Sequence, residues 1–133
     1  MRFGFTDFQE DFQREVRNVL SKACTPAAIR AAWGEGAEHP DRTAWSSLAE
    51  MGVLDVVVPE AEGGLGLDEV SLVLILQEAG YAGLPDPLVE TAAVAMPLAA
   101  ASVQDGMSTI TSDLGGPLVP WAADADALLL RTS

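Results

Sequence analysis

Glycines at positions 63, 64 and 66 stand between a β-branched run, Val56–Val58, and a helix start at Asp68. Strand, glycines, helix is the order of a loop that binds phosphate through backbone N–H groups at a helix N-terminus. The spacing argues against that chemistry. A dinucleotide loop takes its first glycine directly after the strand and a third glycine three positions beyond the second. Here Pro59, Glu60, Ala61 and Glu62 intervene, and Glu69 holds the third position, where its charge opposes a pyrophosphate. A second strand ending in an acidic residue should follow about twenty residues later. Asp86-Pro87, a helix start, stands there instead. No lysine follows the glycines, so a P-loop fails as well. The stretch reads as a tight corner between two helices.

The other reactive side chains are sparse. Cys24 is the sole cysteine and His39 the sole histidine, which excludes an intrachain disulfide and a cysteine-based zinc site. Two singletons make a weak thiol–imidazole pair; Cys24 reads as a small packing residue and His39 as a loop residue. Thirteen carboxylates lie between Glu50 and Asp126, without spacing that suggests acid–base work, and they read as solvated. No catalytic, cofactor-binding or metal-ligating residue is therefore assigned.

Charge narrows the class further. The net charge is −13, and six of the seven basic residues lie in the first 42 positions. From Thr43 to Leu130 there is no Lys or Arg. Such a surface repels phosphate backbones, so nucleic acid is excluded as a partner, and a polyanionic ligand must find its cations elsewhere. The apolar run Ala92–Ala101 is broken by Pro97 and is far short of the ~20 residues of a membrane span. Met1–Lys22 carries charges throughout, unlike a signal peptide. A cytoplasmic protein is expected.

The elements that must position these residues are mostly helical. Thr6 and Gln9 form a capping box, and Phe5, Phe8, Phe12, Val16, Val19 and Leu20 recur at helical spacing, with Glu10 and Arg14 an i,i+4 pair. Thr25 and Pro26 open a second helix to Trp33, and Thr43–Met51 a third, ended by Gly52. Val53–Val58 reads as extended, stopped by Pro59. Asp68 caps a fourth helix, apolar on every side and so expected to be central, which Gly80 and Gly83 close. Asp86 and Pro87 cap a fifth helix, which Pro97 must kink or restart. Ala127–Arg131 looks like one strand without a partner in the chain. The fold class expected is all-α: an up-and-down-like bundle of four to five helices with one orphan β strand at the C-terminus.

The combination "WSSLAEMGVLDVVVPEAEGGLGLDEVSLVLILQEAG" resembles the amino-terminal helical domain of the acyl-CoA dehydrogenase family. The resemblance rests on a tryptophan helix ending in glycine, the turn Pro59, Glu60, Gly63, Gly64 and Gly66, and a helix ending in Glu-Ala-Gly. It implies a helical domain over residues 1–104, then a linker and the first strand of a truncated middle β domain over 105–133. It also implies an FAD-dependent enzyme in which a glutamate base removes an α-proton from an acyl-CoA thioester while a β-hydride passes to the flavin. The base and most flavin contacts belong to β and carboxy-terminal helical domains not found here, so this chain alone is expected to be inactive and to hold no FAD. A role in the acyl-pocket wall is implied for Leu88, Thr91, Val94 and Ala95, with Glu90 near the rim. Expected partners are the remaining domains or a flavin-containing partner subunit, in a homo- or hetero-oligomer. A non-catalytic partner subunit that kept the helical domain and lost the flavin site is the alternative.

Overall fold

The computed structural model describes residues 4–34, 41–99 and 107–130. His39 and the domain boundary at 104–105 lie outside them. Among the described residues the chain forms helices α1 (Asp7–Ala23), α2 (Pro26–Trp33), α3 (Thr43–Glu50) and α4 (Glu69–Ala82). A π-helical segment, Val89–Ala95, then runs into α5 (Met96–Ala99). Two short strands follow, β1 (Ile110–Ser112) and β2 (Ala127–Leu129). The class is helical, as expected. The orphan strand is a correction: β2 pairs in parallel with β1, Ile110 opposite Ala127 and Ser112 opposite Leu129.

The helix boundaries follow the local signals. Gln9 N–H donates to Thr6 Oγ1 at 3.2 Å and the Gln9 side chain returns to Thr6 N–H, which completes the capping box. Thr25 caps α2 with Pro26 at its first position, and Asp68 accepts from Ser71 N–H at 2.9 Å to cap α4. Gly52 and Gly83 take positive φ, 77° and 69°, where α3 and α4 end. Arg14 differs from expectation, pairing with Asp11 rather than Glu10.

One core joins α1, α3, α4 and the turn segment after α3. Val16, Leu20, Trp45, Leu48, Val53, Leu54, Val56, Leu72 and Ile75 are all buried in it. A second cluster, Val58, Ala95, Met96 and Ile110, seats the strand pair on the π-helical segment. Helix α4 is not buried all round. Val70, Val73 and Tyr81 face outward, whereas Ser71, Leu72, Leu74, Ile75, Glu78 and Ala79 are inside.

Two further departures have physical causes. Val53–Val58 is a succession of turns, with Asp55 N–H on Gly52 O and Val58 N–H on Asp55 O, although its β-branched residues favour extension. Before Pro97 the helix widens, and Met96 N–H reaches back five residues to Thr91 O. A proline ring would strike the carbonyl four residues earlier in α geometry, and the wider turn removes that clash.

Candidate functional site

The glycine turn is closed by its own backbone. Gly63 N–H donates to Glu60 O, Gly64 to Pro59 O, Leu65 to Asp55 O, Gly66 to Val58 O and Leu67 to Val56 O. These consecutive amides are engaged, so the turn offers no row of free N–H groups to a phosphate. Gly63 and Gly66 adopt φ of 93° and 61°, and a Cβ on Gly64 would stand 2.2 Å from Val58 O. The loop therefore needs glycine for geometry. Pro59 leads in and Glu60 begins the short 3-10 turn Glu60–Glu62.

The carboxylates are less uniformly solvated than the sequence suggests. Glu78 is 4% exposed in α4 and accepts from Arg17 at 2.7 and 2.8 Å and from Gln13 at 2.7 Å. The bidentate hydrogen bonds from Arg17 hold its carboxyl below the usual range, against the cost of burial. Removing the guanidinium in Arg17→Met leaves a buried anion with one amide donor. The expected result is a melting temperature several degrees lower at pH 7. The deficit shrinks as the pH falls through the Glu78 carboxyl titration, because the protonated group no longer needs its cation. Circular-dichroism melts at pH 7 and at acidic pH check this.

Asp86 was expected to cap the fifth helix and does not. Leu88 N–H bonds to the Asp86 backbone carbonyl instead, and Asp86 Oδ2 is buried with no hydrogen-bond partner among the described residues. Burial pushes the carboxyl up to about 6; Arg42 opposes this and Asp41 adds to it. The folded value lies above the ordinary 3.8, so the native state binds the extra proton between those two pH values. Stability contributed by this group is thus complete below the ordinary value and is lost as pH rises through about 6. For a fully enclosed group the rise corresponds to about 3 kcal/mol, and solvent entering the adjoining cavity reduces it to about 1–2 kcal/mol. Asp86→Asn is expected to stabilise the chain by that amount at pH 7.5 and to leave it unchanged at pH 3.5, measured by urea denaturation.

Cys24 is half-buried, and its surroundings, with a contribution from the Asp86 charge, raise the thiol rather than activate it. Among the described residues no group of three or more His, Cys, Asp or Glu is placed to hold a metal.

Two cavities flank Asp86. One, of about 250 Å³, lies between Arg42, Pro85, Thr109, Trp121 and Asp124. The other, of about 270 Å³, is bounded by Leu76, Leu84, Leu88, Val89, Glu90 and Trp121. The candidate wall residues separate accordingly. Leu88 and Glu90 border the second cavity, and both are buried. Thr91 and Ala95 are buried core residues, and Val94 is half-buried. Thr91 Oγ1 donates to Ile110 O at 2.7 Å and accepts from Ile110 N–H at 3.1 Å, which fastens the helix to β1. Ser112 Oγ adds a bond to Glu90 O at 3.2 Å. Sequence reasoning missed Val89 and Trp121 as cavity residues. Val89 is the neighbour of a candidate, but Trp121 arrives from a distant loop with φ of 60° and no periodic pattern.

Asp126 locks the strand pair to α3. Its Oδ2 accepts from Arg42 at 2.6 Å, Thr109 N–H at 2.9 Å and Thr109 Oγ1 at 2.8 Å. Burial opposes its ionisation, but these donors outweigh it and keep the carboxyl below its usual range. Trp45 Nε1 reaches Met107 O at 2.7 Å from the core, a second tie across the same seam.

Known proteins resemble this chain in sequence and in fold. Residues 6–109 match the model for the acyl-CoA dehydrogenase N-terminal domain. The acyl-CoA dehydrogenase IpdE2 of Mycobacterium tuberculosis is 30% identical over 112 residues, which cover 84% of this chain and 35% of that protein. Its namesake in Mycolicibacterium smegmatis is 33% identical over 84 residues, 62% of this chain and 27% of the relative. FadE26 of M. tuberculosis is 29% identical over 71% of this chain and 25% of its own length. The crystal structure of the ChsE4-ChsE5 complex from M. tuberculosis superposes with a TM-score of 0.61 at 23% identity, over 88% of this chain and 32% of that one. That likeness concerns the fold. The chain thus spans between a quarter and about a third of the length of these curated relatives. With the match extending from the first helix cap to the approach of β1, the chain belongs to the acyl-CoA dehydrogenase family and carries its N-terminal helical domain.

Proposed function

We propose that this chain supplies the helical layer of an FAD-dependent enzyme that dehydrogenates an acyl-CoA thioester between its α and β carbons. The observation that carries the reading is the family match over residues 6–109. FAD brings the hydride acceptor when bound, but the residues described here do not suit its pyrophosphate. The glycine-turn amides are engaged and no Lys or Arg lies between Thr43 and Leu130. The flavin and the base therefore belong to other parts of the assembly, and this chain alone is inactive. Its own contribution is a wall for the acyl group and a surface for neighbouring subunits.

What supports the wall assignment is the mostly apolar cavity along Leu88, Val89 and Glu90. Thr91 and Ala95 back that wall from the core, and Val94 continues the segment toward its surface. Val89→Trp in the flavin-containing assembly tests it, since Val89 is half-exposed and the change spares the core. The expected outcome is a drop in kcat/KM of about tenfold or more for bulky acyl-CoA with little change for short ones. An unchanged acyl preference contradicts the wall.

A second reading has one observation in its favour: a solved structure with the same fold is a complex of two chains, ChsE4 and ChsE5. In that reading the chain is a non-catalytic partner beside a flavin-bearing subunit. Co-purification that retains both chains and yellow colour supports it, and a single flavoprotein chain containing this sequence contradicts it. No helix among the described residues is long and apolar enough to cross a membrane.

A further inference from the structure

Trp121 is the one non-glycine residue with positive φ among the described residues, at 60°. That conformation is uncommon for a bulky side chain, so the surroundings must hold it. Three elements do. Asp124 and Ala125 N–H both donate to Trp121 O, at 3.0 and 2.9 Å, in the turn before β2. Thr111, wholly buried in β1, donates its hydroxyl to Pro120 O. From α2, Trp33 meets the Trp121 ring with centroids 6.4 Å apart and planes at 67°. Backbone strain maintained from this many sides calls for a role beyond closing a turn.

Its place between the two cavities supplies one. Among the described residues Asp86 and Trp121 border both, and Asp86 is buried whereas Trp121 is half-buried. Trp121 is therefore the larger surface where they adjoin. The cavities differ in chemistry. The one of about 270 Å³ is lined by Leu76, Leu84, Leu88 and Val89, and the one of about 250 Å³ by Arg42, Thr109 and Asp124. An alkyl tail gains from the first. In the second it would strip water from charged groups and return no hydrogen bond. We propose that Trp121 is a specificity-determining residue, the divider that ends the apolar cavity and so limits the length of acyl chain it accepts. This rests on the reading of Leu88, Val89 and Glu90 as a wall for the acyl group.

The test measures kcat/KM in the flavin-containing assembly for straight-chain thioesters from butanoyl-CoA to hexadecanoyl-CoA. In the native assembly the value is expected to fall steeply beyond a limiting length. Trp121→Gly removes the indole, and glycine takes a φ of 60° without strain. It should move the limit outward by several carbons. Just beyond the old limit kcat/KM then rises by about tenfold or more, with little change for butanoyl-CoA. Trp121→Phe keeps a ring between the cavities and should keep the limit. Trp121→Asn, a residue type that tolerates positive φ, also removes the ring and should move the limit as glycine does. An unmoved limit in Trp121→Gly, while Val89→Trp depresses turnover of the longer thioesters, overturns the divider and leaves the wall standing. No effect of either variant, or no turnover of any thioester by the native assembly, overturns divider and wall together. A native kcat/KM that does not fall with length overturns the divider. So does loss of the assembly in both Trp121→Gly and Trp121→Asn, because Trp121 then serves the fold.

Discussion

Gly64→Ala is expected to unfold the chain or to cost about 3 kcal/mol or more, whereas Gly63→Ala one residue away costs about 1–2 kcal/mol. The contrast comes from two different demands on neighbouring glycines. At Gly63 the backbone φ is 93°, but a Cβ would meet nothing within 4 Å, so the penalty is conformational. At Gly64 the added carbon would lie 2.2 Å from Val58 O and 2.4 Å from Val58 Cβ. Backbone cannot rotate away as a flexible side chain can. Relieving the overlap moves Val58, which is buried against Ala95, Met96 and Ile110. It also disturbs the bonds from Leu65, Gly66 and Leu67 that close the turn onto Asp55, Val58 and Val56. Urea melts of both variants check the difference, and equal losses would contradict the geometry.

Thr91→Val should cost about 2–4 kcal/mol although it preserves the shape of the side chain. Thr91 is wholly buried and its hydroxyl both donates to and accepts from the Ile110 backbone. The substitution removes that hydroxyl and strands two polar groups at the start of β1, in a place that water does not reach. Thr91→Ser keeps the hydroxyl and should recover most of the loss, less the methyl packing. The variant also separates structure from function. If Thr91 fastens the helix to the strand pair, protection from amide exchange at Ile110–Ser112 falls in Thr91→Val while α1 and α3 stay protected.

What was legible in the sequence was what depends on near neighbours. Thr6 with Gln9, Thr25 with Pro26, Asp68 with Ser71, and the positive-φ glycines at 52, 63, 66 and 83 all act within a few residues. The family turn is of this kind too. What escaped depends on distant partners. Glu78 meets Arg17 and Gln13 from the far end of the chain, so its burial has no local sign. Asp86 carries a capping signature before Pro87, but the cavity with Arg42 and Trp121 determines its surroundings instead. The turns at Val53–Val58 override β-branched propensity because Leu65–Leu67 return to bond with them. The partner of β2 was hidden in Ile110-Thr111-Ser112, three residues buried on every side, too short for an alternating pattern. Pro97 announced a disturbance in the fifth helix, but not that the register would widen before it.

The candidate wall residues divide along the same line. Leu88 and Glu90 border a cavity that only the folded chain brings together with Leu76, Leu84 and Trp121, while Thr91 and Ala95 serve packing. The family resemblance alone made these positions equivalent, and burial distinguishes them.

The most direct test of the proposed role isolates the native assembly containing this chain and follows two signals, flavin absorbance near 450 nm and formation of 2-enoyl-CoA with an artificial electron acceptor. The 133-residue chain purified alone is measured in parallel. The expected result is flavin and turnover in the assembly, with neither in the chain alone. A chain that binds FAD and turns over by itself, or an assembly without flavin, contradicts the account.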